Sequence, residues 1–175
     1  MVALPDDDPS DGEAWILPID GSGTLLPAED FTPEFAQSFP RIDVGNTIPT
    51  GPVGSAWGDE VIADAAKIAE LLYRDWQALG DVLYQVERSS QPTSTTLAAD
   101  FDITGRPDTA AQQLVIHWGR APGEEQAGEP TAKAKLVKLK EWVNDAKLRG
   151  QFPAREIDLR SVRVMQASTA ESLKR

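Results

Sequence analysis

The order of hydrophobic periods along this chain predicts an α+β domain in which one antiparallel sheet carries two helices on one face. Three observations predict it. Apolar residues recur every three to four positions in two stretches, residues 59–80 and 131–150. Alternating segments rich in β-branched and aromatic residues lie between those stretches and after the second. Runs containing glycine, proline and acidic residues separate them. A chain of 175 residues, 41% of them hydrophobic, can bury a two-layer core without a metal or disulfide to hold it.

Each element follows in order. Residues 1–12 crowd Asp6, Asp7, Asp8 and Asp11 among Pro5, Pro9 and Gly12, the composition of a self-repelling acidic flexible tail, and are set outside the fold. The domain is placed at residues 13–166, with a polar C-terminal tail at 167–175. Trp15, Leu17 and Ile19 alternate before Asp20-Gly21-Ser22-Gly23, which predicts a hairpin returning through Thr24 and Leu25. Residues 27–58 mix prolines and glycines with Phe31, Phe35, Phe39 and Trp57 and show no sustained period, so an ordered wrap is expected, its rings docked on the domain. Ile62, Ala65, Ala69, Leu72, Trp76 and Leu79 line one face of a helix capped by Asp59 and stopped at Gly80. Residues 82–86, 97–103 and 114–118 read as a three-stranded meander, with turns at 89–96 and 105–108. Thr131 caps a second helix with Leu136, Leu139, Trp142 or Val143, and Ala146 inward, and Gly150 ends it. Residues 156–165 alternate, but the phase slips by one near Ser161, as at a β-bulge or a strand end.

Charge and composition narrow the functions. The net charge is −11, and residues 1–60 hold twelve acids against one base, Arg41, while the remainder is balanced. Nucleic acid and anionic lipid are therefore poor partners. There is no cysteine and one histidine, His117, which excludes disulfides, thiol nucleophiles and multi-imidazole metal centres within one chain. No metal and no cofactor is expected. The acidic N-terminus is unlike a signal peptide, and no apolar run reaches bilayer length.

Candidate chemistry is sparse. Asp100 and Asp102, two apart on a strand, are placed to share a proton or a cation, yet their alternation with Phe101 and Ile103 favours the solvated face of an amphipathic strand. His117 is framed by no acidic motif and reads as a sheet histidine rather than a general base. Gly21-Ser22-Gly23 lacks a following Lys-Ser or Lys-Thr and is a turn, not a phosphate loop. Lys133, Lys135, Lys138, Lys140 and Lys147 form the basic outer face of the second helix, read as solvated. No catalytic residues are assigned.

Several motifs in sequence order resemble the β domain of the FtsQ/DivIB bacterial division proteins. They are Ile19-Asp20-Gly21-Ser22-Gly23-Thr24-Leu25-Leu26-Pro27, Phe39-Pro40-Arg41-Ile42, the helix from Asp59, Ile116-His117-Trp118-Gly119, Lys135-Leu136 with Leu139, and Glu156-Ile157-Asp158-Leu159-Arg160. The resemblance spans roughly residues 14–166. It implies a non-enzymatic scaffold of the septal assembly that docks small bitopic coiled-coil partners of FtsB/DivIC and FtsL type by β-strand addition. The docking edge it implies is the final strand, with Arg160, Val162, Arg163, Val164, Met165 and Gln166 as partner-binding residues. In that family a membrane helix and a POTRA domain precede the β domain. An extracytoplasmic, periplasmic location outside the inner membrane is expected if this sequence is a fragment, and a cytoplasmic one if Met1 is the native start. The alternatives are a soluble adaptor of another pathway reusing the fold, and a hydrolase built on Asp100 and Asp102.

Overall fold

In the computed structural model, which describes residues 2–4, 15–36, 38–79, 82–90, 99–105, 114–149 and 156–161, the expected helices and meander are present. Among the described residues seven strands form one sheet: β1 (Val2–Leu4), β2 (Trp15–Leu17), β3 (Arg41–Asp43), β4 (Leu83–Arg88), β5 (Phe101–Gly105), β6 (Leu114–Gly119) and β7 (Glu156–Asp158), in the spatial order β2-β1-β3-β4-β5-β6-β7. Helices α1 (Pro33–Ala36) and α2 (Glu60–Tyr73) precede α3 (Trp76–Leu79) and α4 (Ala132–Arg149). The fold is α+β.

The hairpin forms as its residues require. Ile19 and Leu25 bridge antiparallel, the Leu26 N–H donates to the Pro18 carbonyl at 2.9 Å, and Asp20 Oδ1 accepts the N–H groups of Ser22 and Thr24. Gly23 sits at φ +80°, a conformation that disfavours any residue with a Cβ. In the wrap, Phe39 stacks on Tyr73 of α2 with ring centroids 5.0 Å apart, and Trp57 is buried with its Nε1–H donating to Thr47 Oγ1.

The sheet is mixed, which corrects the expectation of a purely antiparallel one. β4, β5 and β6 are an antiparallel meander, but β1 pairs parallel with β3, β3 with β4, and β6 with β7. The reason is connectivity. A helix between neighbouring strands returns the chain to its starting end, so the strands joined through α2 and through α4 must run parallel. Both crossovers step the same way across the sheet from strands of the same direction, and right-handed crossovers then put both helices on one face. The core agrees: Ile62, Ile68 and Leu72 of α2 and Leu136, Leu139 and Val143 of α4 join Val86, Ile103, Ile116 and Trp118 in one cluster.

Two placements differ from the sequence reading. Val2–Leu4, set outside the fold for their acidic surroundings, form β1 between β2 and β3, whereas residues 5–14 lie outside the described residues. Arg41–Asp43, read as part of an irregular wrap, form β3. Three residues are too few to show a period. The helix foreseen over residues 59–80 is divided by a turn at Arg74 and Asp75 into α2 and α3.

Candidate functional site

The alternation of β5 and β6 sends Phe101, Ile103, Ile116 and Trp118 into the core and Asp102 and His117 to the opposite face. The two polar residues are direct cross-strand partners, and both are below 5% exposed. His117 Nδ1 lies 2.8 Å from Asp102 Oδ1, and Nε2 lies 2.6 Å from Glu156 Oε1 on β7. The Ser89 hydroxyl donates to the second Asp102 oxygen at 2.8 Å. Burial alone would lower the His117 pKa; hydrogen bonds to Glu156 and Asp102 and the nearby Asp102 charge outweigh burial and the opposing Arg160 charge, and hold it above its ordinary value.

Asp100 and Asp102 are not a solvated strand face: Asp100 is 3% and Asp102 4% exposed. They pair with different basic side chains. Asp102 faces His117, while Asp100 Oδ1 lies 2.8 Å from the Nε of the buried Arg120. With its oxygen turned to that guanidinium, the Gln126 side chain accepts from Arg120 Nη2 at 2.8 Å. Alternation identified which face these acids occupy, and it says nothing of whether that face is covered.

β7 closes the sheet at one edge, with no strand beyond it among the described residues. The Leu159 N–H donates to the His117 carbonyl at 2.9 Å. Because a parallel strand turns alternate residues to its neighbour, Ile157 and Leu159 face β6 and the N–H and C=O of Asp158 point outward. The Asp158 side chain then ends the strand: Oδ1 accepts the Arg160 N–H at 2.8 Å, and Nη2 of Arg160 donates to Oδ2 at 2.8 Å. Burial would raise the Asp158 pKa, but these bonds keep it below its ordinary value, and they raise that of Arg160. Of the expected docking residues, Arg160 is held in this fork, and Val162, Arg163, Val164, Met165 and Gln166 lie outside the described residues.

The bulge that shapes this edge is at the end of β6, where register slips between Phe101 and Asp102 and Gly119 adopts φ +88°. There Glu129 Oε1 accepts the Arg120 N–H at 2.9 Å and Lys135 Nζ at 2.6 Å, and Lys135 lies over the Trp118 ring at 5.2 Å from its centroid. Lys135 is thus fully buried and not part of a solvated basic face. Lys140 pairs with Asp75 at 2.6 Å and Lys147 donates to the Ala78 carbonyl at 2.9 Å. The signal for Lys135 was present, since it falls on the buried stripe with Ala132, Leu139 and Ala146. Glu156 was also legible as the polar neighbour of Ile157, but its partner on β6 was not.

A small cleft of about 170 Å³ opens between the hairpin and α2, lined by Ile19, Phe39, Ile42, Ala66, Ala69 and Tyr73. It is below the roughly 300–1,000 Å³ of typical small-molecule sites. Among the described residues no group of three or more His, Asp or Glu is arranged to hold a metal ion, and no helix is long and apolar enough to cross a membrane. Comparison with protein-family models, curated proteins and solved structures finds no match to this chain.

Proposed function

We propose that this chain is a non-enzymatic docking domain that receives a strand of a partner protein on the outer edge of β7. The observation that carries this reading is the outward N–H and C=O of Asp158 at the end of the sheet. Such groups template an incoming strand, with backbone bonds supplying affinity and alternate side chains specificity. The buried side chains behind the edge support it, because a strand tied down through Glu156 and Leu159 presents its outer side without first being ordered. Arg160 serves by exchange, an incoming carboxylate displacing Asp158 from its fork. The resemblance to FtsQ/DivIB gives the partner: a segment of an FtsB/DivIC-type protein, with FtsL-type proteins in the same septal assembly, on the outer side of the inner membrane.

The test uses the outward donor. Asp158→Pro removes that N–H while leaving the β6 ladder, and Asp158→Ala controls for loss of the side chain. With fold retention checked by circular dichroism, a synthetic FtsB/DivIC-type partner peptide is expected to bind Asp158→Pro about tenfold more weakly than Asp158→Ala, the worth of one backbone hydrogen bond. Equal affinities for the two variants would remove strand addition at this edge.

A further inference from the structure

Both ring nitrogens of His117 face carboxylate oxygens, at 2.8 Å from Asp102 and 2.6 Å from Glu156. Neutral imidazole has a single N–H, so only the imidazolium donates to both. The two acceptors are unequal. The Asp102 side chain is 6% exposed and also accepts the Ser89 hydroxyl, whereas that of Glu156 is 63% exposed. When the ring loses a proton, the remaining one stays on Nδ1, because a buried carboxylate loses more than an exposed one when its donor goes. The Nε2 lone pair then meets Glu156, and that side chain turns to water. Glu156 is the first residue of a three-residue edge strand that the sheet holds from one side among the described residues.

We propose that Asp102, His117 and Glu156 form a proton-operated latch on β7: the imidazolium holds the start of the strand in the sheet, and its deprotonation releases it. The consequence for binding rests on the docking reading above, and is that strand addition weakens as pH rises. Other charged groups among the described residues lie around the ring. Glu87 of β4 stands opposite Asp102 in register, with Asp43 of β3 near it; Asp158 of β7 stands beside His117 with Arg160 bonded to it. The carboxylates favour the imidazolium and Arg160 opposes it, and the raised pKa of His117 places release above pH 6.5.

The latch is tested on the free domain by amide hydrogen exchange from about pH 6 to about pH 8.5, corrected for intrinsic rates. Protection of the Ile157 and Leu159 N–H groups, taken relative to Ile103 in β5, is expected to fall with rising pH by up to about tenfold per unit of pKa shift. Glu156→Gln, at an exposed side chain and able to accept from or donate to Nε2, is expected to flatten that dependence. A pH-independent ratio in the wild type, or an unchanged slope in Glu156→Gln, overturns the latch. In the same samples a synthetic FtsB/DivIC-type peptide reads the docking step. Binding that weakens in parallel with protection supports the coupling, and affinity equal at both ends of the range overturns it. A protection step without peptide binding at any pH supports the latch and removes the docking reading.

Discussion

Lys135 Nζ lies 2.6 Å from Glu129 Oε1, with both side chains almost wholly withdrawn from water. The carboxylate also accepts the N–H groups of Arg120 and Gln126, so one ion pair ties the first turn of α4 to the loop that leaves β6. This sets the position of the helix over Trp118.

Removing one partner of that pair leaves a buried charge without its counter-charge. Lys135→Met is expected to lower the free energy of unfolding by about 3 kcal/mol in urea denaturation. Lys135→Met with Glu129→Gln should recover most of that loss, because the uncompensated charge is gone.

Gly119 and Gly123 separate conformation from crowding. Both have positive φ, +88° and +90°, but a Cβ at residue 119 would collide with Glu129 and the Arg160 stem, whereas residue 123 has open space. Gly123→Ala is expected to cost about 1–2 kcal/mol for the left-handed backbone alone. Gly119→Ala should cost at least about 1 kcal/mol more, read as a lower thermal midpoint, because the Glu129 pairing must shift as well.

Helix α2 depends on its cap. Asp59 Oδ1 accepts the Val61 N–H at 2.8 Å, so Asp59→Ala is expected to destabilise the domain by about 1 kcal/mol, and Asp59→Ser to keep most of that stability. Equal losses in the two variants would show that the cap bond contributes nothing.

The histidine sets a pH dependence of stability. Its folded pKa is above 6.5, so its contribution is complete below about pH 6.5 and is lost as pH rises through the folded value. Urea midpoints are expected to decline over that range in the wild type and to decline less in Asp102→Asn. Titration of the imidazole resonances checks the shift directly, and an unshifted curve would refute the pairing.

Local chemistry made much of the fold legible. Asp59 and Thr131 mark the starts of α2 and α4, the stripes from Ile62 to Leu72 and from Leu136 to Ala146 give their buried faces, and Asp20 with Gly23 gives the hairpin turn. Caps, turns and periods are short-range consequences of hydrogen bonding and side-chain direction, so they stand in the sequence as written. The alternation of β5 likewise assigned Asp102 to the face opposite Phe101 and Ile103.

What only tertiary structure decided is which of those polar residues meet. Asp102, His117 and Glu156 come from three strands, and the last reaches its place only after α4 has crossed the sheet. The parallel pairings of β3 and β7, the recruitment of Val2–Leu4 and the burial of Lys135 have the same origin. The sequence by itself determined helices, turns and the apolar face of each strand, because those depend on neighbours a few residues away. Strand order and charge pairing depend on the direction in which each crossover returns, and a local pattern of polar and apolar residues is the same whichever strand lies beside it.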